Sequence, residues 1–491
     1  MKKATSPLAL LLSAMLMASL LFSSCGALAE GIDISEHVDL TMYLIGSPAR
    51  DYDLMLEELN KVTEAELNAS VTVNWIGWAD FGTKYPLMLA SGEPVDLVYA
   101  STWTRFYKEA MKGAFLPLEE LAPIYAPITY AEISDEFRKQ VTFGEHVYGI
   151  PASFYQVAMM GYIVRGDLMK EYGITEIDGI DGYGEFLQKV VDNTPEIVPT
   201  GIVGGDDGLD AYFSYEQNYI DIEKPFYIDF GNPVPTVVNL YDNENALAHF
   251  KKMKEWCDRG YWSKSILADK EDDKFITGRS ASRLHNQDSW MTAHLNHPEF
   301  DAQFFFGRKN AFSTVAMQDG MAIPASAPNP ERALMLLERL HQDPVYYNFL
   351  TYGIEGVHYE INENDELIAL DIDGFSPEGY CSWGFKSLKW FKQPIGMPPN
   401  LAEIRAALQE IKVENPYAIF FADFEPVKNE QAAILNVLTQ YGLPLSLGLV
   451  DDVEASYNNI REKLELAGAS TMQAELQRQL DAYMAEQNNP S

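Results

Sequence analysis

Two histidines, His294 and His297, are three positions apart, so on a helix their imidazoles would lie about one turn apart. That spacing could supply half of a zinc site, but protein zinc sites use three or four side-chain ligands. No third ligand stands at a characteristic spacing, and Pro298 follows directly. We therefore expect a solvated surface pair and no metal site.

Patterns for phosphate binding and covalent catalysis are also incomplete. The glycine-rich segment 201–208 lacks the Lys-Ser/Thr pair of a phosphate loop and the G-x-G-x-x-G order, so we interpret it as a loop leading into a ligand cleft. The segment Gly374–Gly379 has the wrong spacing for a nucleophile elbow. Paired carboxylates could still cleave a glycosidic bond, since 72 acidic residues make close pairs inevitable. The sequence carries no enzyme signature.

The composition describes a large, acidic, globular protein. A length of 491 residues allows two to four domains, and 8 tryptophans, 27 tyrosines and 25 phenylalanines are too many for a disordered chain. A formal net charge of −36 repels phosphate backbones and anionic lipid headgroups, which argues against a nucleic-acid partner. Three cysteines are too few for a disulfide framework or a cysteine-rich zinc protein.

From Leu40 onward, strand and helix patterns alternate. Short apolar runs typical of strands lie at residues 40–45, 71–76 and 96–99. Between them, leucines and a valine recur at helical spacing over residues 54–67, and residues 80–90 also predict a helix. This order predicts parallel βαβ units. Because ligands on such sheets bind beyond the carboxyl ends of the strands, the loops at Gly46, Trp78–Asp80 and Ser101–Trp103 should meet at one crevice.

Later segments extend the pattern. Residues 159–164 predict a strand, and Leu168–Tyr172 a short helix closed by Gly173. Asn329-Pro330 begins a helix with an apolar face. In the last helix the stripe consists of Met472, Leu476, Leu480 and Tyr483, which we expect to be core packing.

The first residues look like an export signal. Two lysines precede an uncharged apolar stretch, residues 8–22, which at about 15 residues is too short for a comfortable bilayer span. Leu21-Phe22-Ser23-Ser24-Cys25 resembles a bacterial lipobox, which implies removal of residues 1–24 and lipidation of Cys25. An ordinary secretory signal, cut after Ala27 or Ala29, is the alternative.

With Cys25 lipidated, Cys257 and Cys381 remain, 124 positions apart. Export would permit a disulfide between them. Two buried free thiols are the alternative that we favour.

Several blocks of sequence occur in a characteristic order. They are Ala90–Val98, Val147–Pro151, Phe275–Ala281, Asn286–Trp290, Gly320–Pro324, Asn329–Ala333 and Tyr352–Tyr359. Together they resemble the sugar-type bacterial extracellular solute-binding proteins, the lipoprotein receptors of ABC importers related to maltodextrin-binding protein. The end of the chain, from Asn415 to Leu480, resembles the C-terminal domain of a lipoprotein subgroup. The segments that match there are Phe424–Lys428, Glu430–Ala433 and Gln477–Asp481.

The resemblance implies an α/β fold of two lobes, each a mainly parallel sheet flanked by helices, which close on a ligand at a hinge. The chain would cross between the lobes near residues 150–155, 314–319 and 375–380. Lobe 1 would comprise residues 25–153 and 316–375. Lobe 2 would comprise residues 154–315 and 376–491, with a C-terminal helical region at 415–487.

The same resemblance implies a function. The protein would capture a sugar or oligosaccharide and deliver it to the permease subunits of an ABC importer. It would be a monomer anchored by lipid to the outer face of the cell membrane, with no cofactor, metal or catalytic residue. The alternatives are a receptor for a peptide-like or zwitterionic solute and a secreted glycoside hydrolase.

A sugar presents apolar C–H faces and a rim of hydroxyls, so its site needs aromatic rings beside polar side chains. In lobe 1, Trp103 follows the third strand, and Ser101 beside it could bond a hydroxyl. In lobe 2, Trp290 occupies the family's tryptophan position, with Asp288 just before it. The further candidates are Tyr155, Tyr212, Tyr215 and Trp383. For each aromatic residue, packing in the core or on the surface is the alternative.

Overall fold

The structure is a computed structural model that describes residues 32–153, 159–201, 208–268, 274–313, 315–376, 382–418 and 420–488. The expected signal segment and Cys25 lie outside these residues. The described parts of residues 1–154, 319–360 and 373–391 form one compact unit. The described parts of residues 155–318, 361–372 and 392–491 form a second. Residues 376 and 382–391, expected in lobe 2, therefore group with the first unit, and residues 361–372, expected in lobe 1, group with the second.

The elements follow one another in three stretches of chain. Up to Pro151 they are β1 (Val38–Ile45), α1 (Tyr52–Leu67), β2 (Ala69–Ile76), α2 (Phe81–Ser91), β3 (Leu97–Ala100), α3 (Phe106–Met111), α4 (Ala122–Tyr125), α5 (Pro127–Glu132), α6 (Asp135–Gln140), β4 (Thr142–Phe143), β5 (His146–Val147) and β6 (Ile150–Pro151). From Met160 they are β7 (Met160–Val164), α7 (Gly166–Tyr172), α8 (Gly179–Asn193), α9 (Leu209–Glu216), β8 (Tyr219–Glu223), β9 (Phe226–Asp229), β10 (Thr236–Asn239), α10 (Ala246–Asp258), β11 (Ser282–Asn286), α11 (Gln287–Asn296), β12 (Gln303–Phe306) and β13 (Ala311–Phe312). From Gly320 they are β14 (Gly320–Ala322), α12 (Pro330–Gln342), α13 (Pro344–Tyr352), β15 (Tyr359–Ile361), β16 (Leu367–Ala369), α14 (Leu401–Glu410), β17 (Lys412–Val413), α15 (Lys428–Val437), α16 (Leu443–Ser446), α17 (Val453–Leu466) and α18 (Ala469–Asn488).

The first unit is built on a sheet of order β2-β1-β3-β14-β6. β1 runs parallel to β2 along its whole length and parallel to β3, which confirms the predicted βαβ units. β14 is antiparallel to both β3 and β6. The buried carboxylate of Asp96 accepts hydrogen bonds from the backbone N–H groups of Thr41 and Asn329, both at 2.9 Å. It therefore joins β1 and the start of α12 to the residue before β3.

Helix α1 confirms the predicted helix but buries a different face. The leucines suggested a stripe through residues 54 and 56, whereas Leu54 is 44% exposed. The buried residues are Tyr52, Met55, Leu59, Thr63 and Leu67, at three- and four-residue spacing. The register shifts because Tyr52 packs against Phe375 and Trp75, with ring centroids 6.1 and 5.1 Å away.

The second unit differs from the expected mainly parallel sheet. β7 lies between β11 and β12 and is antiparallel to both. β8, β9 and β10 form a separate antiparallel meander. This orientation cannot be predicted from the local sequence, because a buried strand such as β7 shows a continuous apolar run whether its neighbours are parallel or antiparallel.

The C-terminal helices α15–α18 share one apolar core with the meander. Met472, Leu476 and Leu480 of α18 are fully buried, as predicted, among residues of β9 and β10. The amide of Gln477 accepts from Val237 N–H at 2.7 Å, and Gln473 donates to Val237 C=O at 2.7 Å. This region therefore extends the hydrophobic core of the second unit. None of the described helices is long and apolar enough to span a membrane.

A polar cluster ties α16 to the rest of the second unit. Asp210 on α9 pairs with His249 of α10 at 2.8 Å and accepts a hydrogen bond from the Ser446 hydroxyl of α16. Burial alone would raise the pKa of Asp210, but the bond and charge of His249 and the bond from Ser446 outweigh burial and lower it below 3.8. The carboxylate is therefore held ionised among three helices.

We predict that Asp210→Asn lowers the free energy of unfolding by about 1.5–3 kcal/mol at pH 7, as expected for loss of hydrogen bonds to a charged group. A carboxylate with a lowered folded-state pKa stabilises the fold above its unfolded pKa, and that contribution disappears as the pH falls through the folded value. The difference in free energy of unfolding between Asp210→Asn and the wild type should therefore shrink below about pH 4. Urea denaturation at several pH values measures it.

Asp242→Asn is the control, because Asp242 forms an exposed ion pair with Arg461 and should contribute at most about 1 kcal/mol. Equal losses in the two variants at pH 7, or a difference that does not begin to shrink as the pH falls below about 4, would contradict this role for Asp210.

Candidate functional site

The three loops predicted to meet do so in the first unit. β1, β2 and β3 end at Ile45, Ile76 and Ala100, on the same edge of the sheet. The N–H of Gly46 donates to Ile76 C=O at 2.8 Å. Gly46 has a φ of +116°, and a Cβ there would approach the indole nitrogen of Trp78 at 3.3 Å. Glycine therefore lets the first loop lie directly against the second.

Three tryptophans, Trp78, Trp103 and Trp383, form what we call the tryptophan cluster. The ring of Trp78 lies 5.6 Å from that of Trp103 and 6.1 Å from that of Trp383, at interplanar angles of 33° and 35°. Trp78 is 41% exposed, and the other two are half-buried. Ordinary core packing would bury all three, so this apolar surface at the strand ends suits ligand stacking.

The cluster rests on an aromatic and polar base. Tyr99, at the end of β3, lies beneath Trp103 at 5.1 Å and meets Trp383 edge-on at 6.3 Å. The Tyr99 hydroxyl donates to the carboxylate of Asp319, next to β14. Phe81, at the start of α2, packs edge-on against Trp103 at 5.5 Å. The orientation of each ring is therefore fixed by elements of the sheet.

Ser101 is buried and serves the turn that carries Trp103. Its hydroxyl accepts from the N–H of Thr104 at 3.2 Å, and the Thr104 hydroxyl accepts from the N–H of Ser101 at 2.9 Å. The expectation that Ser101 bonds a ligand hydroxyl is corrected, because its side chain is fully buried in this reciprocal turn. Ser101 instead positions Trp103.

Trp383 belongs to the first unit, in the segment 373–391. Its position after the third expected crossover had predicted that it would lie on lobe 2. Its contacts with Trp78 and Tyr99 show where it packs. The side chain remains a candidate, now on the same surface as Trp103.

Trp290 is a core residue of the second unit. It is fully buried, its indole N–H donates to Ala302 C=O at 2.7 Å, and its ring stacks on Phe304 at 5.8 Å. Asn286 caps α11, and this start of the helix turns position 290 toward β12. The proposed ligand contact by Trp290 is therefore wrong in this structure, because neither face nor nitrogen is free.

Tyr212 is likewise part of the core. It is 1% exposed, and its hydroxyl donates to the carbonyl of Gly161. Tyr215, one turn later on α9, is half-buried and carries the guanidinium of Arg308 over its ring at 4.5 Å. Asp288 is half-buried in the first turn of α11. Tyr155 lies outside the described residues.

Sequence reasoning missed two residues. Trp78 stands two positions beyond β2 in a loop that was identified, and its position after a strand end was the available signal. Arg308 follows Gly307 at the end of β12, and no motif marks it.

The histidine pair is also arranged differently from the expectation. His294 is buried, and desolvation lowers its pKa, so it is not solvated as predicted. His297 stacks on Phe300 at 4.6 Å and pairs with Glu299 at 3.1 Å. No group of three or more metal-binding side chains is found among the described residues. Cys257 is a buried free thiol, and Cys381 lies outside the described ranges.

Residues 51–338, more than half of the chain, match the family model described as bacterial extracellular solute-binding protein. The chain belongs to this family. Solute binding and an extracytoplasmic location follow from that membership. Residues 416–485 match a domain of unknown function, DUF3502, which includes α15 to α17 and most of α18.

Relatives of known name agree with this assignment. A carbohydrate ABC transporter substrate-binding protein of Streptococcus pneumoniae is 25% identical, over 94% of this chain and 95% of the relative. The N-glycan transport solute-binding protein of Streptococcus pneumoniae, solved with Man1GlcNAc, superposes with a TM-score of 0.76 at 22% identity, over 91% of this chain and all of that one. An alginate-binding protein superposes with a TM-score of 0.64 at 18% identity, over 92% of this chain and all of that one. The structural likenesses confirm the fold class, a two-lobe α/β solute-binding protein.

The two tryptophans first proposed as a pair should respond differently to truncation. Trp290→Ala should lower the free energy of unfolding of the ligand-free protein by about 3–5 kcal/mol, because it empties a buried site. Trp103→Ala should lower it by about 1 kcal/mol, as for an average substitution. Urea denaturation followed by circular dichroism measures both. Equal losses would contradict the assignment of Trp290 to the core and Trp103 to the surface.

Proposed function

We propose that this protein is the substrate receptor of an ABC importer for a sugar or oligosaccharide, and that the tryptophan cluster is its stacking surface. The observation that carries this proposal is the group of three adjacent, partly exposed indoles at the carboxyl ends of parallel strands. That edge is where ligands bind on sheets of this kind.

The chemistry of the cluster fits a carbohydrate. The C–H faces of a sugar ring are apolar and can lie on an indole, whereas the hydroxyl rim needs polar partners. Trp78 is flanked by two other rings, so the combined surface is wider than a single indole. Such a surface favours a ligand of more than one sugar unit over a small polar solute.

The comparisons support the same class of ligand. The relative that matches nearly the whole chain is named as a carbohydrate receptor. Among the structures of similar fold, one was solved with Man1GlcNAc and another, of Streptococcus pneumoniae, with kestose. Family membership also favours binding without turnover, since the family consists of solute-binding proteins.

We predict that Trp78→Ala, Trp103→Ala and Trp383→Ala each weaken ligand binding by about 1–3 kcal/mol, the scale of one aromatic stacking contact. The ligand is the one eluted from natively purified protein and identified by mass spectrometry. Isothermal titration of the ligand-free protein measures the affinities.

The matched control is Ile124→Ala, because Ile124 is a 50% exposed apolar residue of the same unit outside the cluster. The affinity of the Ile124→Ala variant for the eluted ligand should equal that of the wild type. Full affinity in all three tryptophan variants would refute the stacking surface. Elution of a non-carbohydrate solute, with no binding of oligosaccharides, would refute the proposed ligand class.

We also propose that the protein is tethered to the cell membrane through lipid on Cys25, where the sequence resembles a lipobox. One acyl chain gives only marginal binding, so stable tethering requires at least the two chains of a diacylglycerol group. Removal of residues 1–24 would make Cys25 the first residue and so give it a free amino group that can be acylated.

We expect Cys25→Ala to release the protein from membranes into a detergent-free soluble fraction, because no lipid can be attached. Cell fractionation with immunoblotting measures the distribution. Cys257→Ala is the control, since Cys257 is a buried thiol that no anchor could use, and it should leave the protein on the membrane. Retention of the Cys25 variant on membranes would contradict the anchor.

A further inference from the structure

The guanidinium of Arg308 lies over the faces of two aromatic rings in the second unit. Its guanidinium carbon is 4.5 Å from the centroid of Tyr215 and 4.5 Å from that of Phe312. We call these three residues the arginine sandwich. Cation–π contacts of this kind hold a guanidinium in place without using its N–H donors.

Backbone contacts determine where Arg308 stands. Gly307 N–H donates to Met160 C=O at 3.1 Å at the edge of β7. A Cβ on Gly307 would lie 2.4 Å from that carbonyl oxygen and 2.6 Å from the ring of Tyr212, so only glycine fits there. The chain after β12 is therefore drawn against β7, which brings the next residue to the carboxyl end of α9 and to Tyr215.

Phe312 is also fixed by its surroundings. It lies in β13, which pairs in parallel with β17 through Phe312 and Val413. Phe230, just after β9, packs edge-on against its ring at 5.3 Å. The two rings of the sandwich are thus held by separate elements, so the position between them is built into the fold.

The charge of Arg308 is not balanced within the described part of the chain. No described carboxylate lies within 4.0 Å of its guanidinium, and no described group accepts a hydrogen bond from it. Desolvation lowers the pKa of this guanidinium, and Tyr215 acts in the opposite direction. In a chain with 72 acidic and 36 basic residues, a half-buried arginine without an acidic partner is unexpected. Leaving a desolvated cation unpaired costs free energy that an anionic ligand would recover.

The geometry points to the group that fits. The contacts with the faces of the two rings use none of the N–H donors of the guanidinium, which lie in its own plane. Two parallel N–H groups in one plane match the two oxygens of a carboxylate. Uronic and sialic acids carry carboxylates, whereas neutral sugars do not.

We propose that Arg308 binds the carboxylate of an acidic sugar and that the solute of this receptor is an acidic oligosaccharide. This inference rests on the proposed function and adds the charge class of the ligand. The net charge of −36 opposes the approach of an anion, so the preference must come from the contact itself. The preference for an acidic over a neutral glycan should therefore appear mainly as slower dissociation of the acidic glycan.

The test uses the full-length mature protein and a glycan panel of matched pairs. The acidic members are galacturonate oligomers, hyaluronan tetrasaccharide and 3′-sialyllactose. Their neutral partners are the carboxyl-reduced oligomers and lactose. Affinity and dissociation rate are measured for the wild type, Arg308→Gln, Arg308→Lys and the control Arg478→Gln, which removes an exposed arginine paired with Glu475.

We expect at least one acidic glycan to bind the wild type about tenfold or more tightly than its neutral partner. Arg308→Gln should abolish that preference through faster dissociation and leave affinity for the neutral partner within about twofold. Arg308→Lys should retain only part of the preference for the acidic glycan, because an ammonium group cannot form the planar pair of hydrogen bonds. Arg478→Gln should behave as the wild type.

Other outcomes separate the two proposals. If neutral glycans bind and depend on Trp103 but no acidic glycan is preferred, Arg308 only packs between rings and this inference fails, while the proposed function stands. If acidic preference persists in a folded Arg308→Gln protein, the carboxylate binds elsewhere and the inference also fails. If no glycan in the panel binds, this inference fails, and the solute eluted from natively purified protein then decides whether the proposed function fails as well.

Discussion

The parallel pairing of β1 with both β2 and β3 is the constraint on which the candidate site depends. Parallel strands end on one edge of a sheet, so the residues that follow them gather there, although they are far apart in sequence. Trp78 and Trp103 meet for this reason. Asp96 secures the arrangement, since its buried carboxylate bonds the backbone of β1 and of the residue before α12. Trp383 completes the cluster because the segment 373–391 packs with the first unit.

The second unit solves a different packing problem. Its two three-stranded sheets are antiparallel, and an antiparallel meander with one apolar face needs a cover. Helices α15–α18 provide that cover, and they share the core of the meander. The region that matches a domain of unknown function therefore contributes to the stability of this unit. The pairing of Asp210 with His249 and the hydrogen bond from Ser446 join α9, α10 and α16 by polar contacts, in addition to the shared apolar core.

Two physical environments for aromatic side chains are present in the same protein. In the core, Trp290 and Tyr212 use both their ring faces and their polar atoms within the protein. In the tryptophan cluster, the rings meet one another at angles of 33° and 35° and retain exposed area. The difference decides which rings can bind a solute, because stacking requires a face that the fold leaves uncovered. Tyr215 is intermediate, since its ring is occupied by Arg308, whose N–H groups are not bonded to described residues.

The amino-acid sequence was sufficient to predict the βαβ order of the first unit, the helix that begins at Pro330, the last helix α18 and the family. These follow from apolar periodicity and from short blocks of residues, which are local signals. Only the tertiary structure decided that β7 has antiparallel neighbours, that Trp290 faces β12, and that Trp383 joins Trp78. A tryptophan has the same local pattern whether it packs in a core or lines a surface. Which of the two it does depends on residues distant in sequence, just as the position of Arg308 depends on the rings of Tyr215 and Phe312 that the fold brings into contact with it.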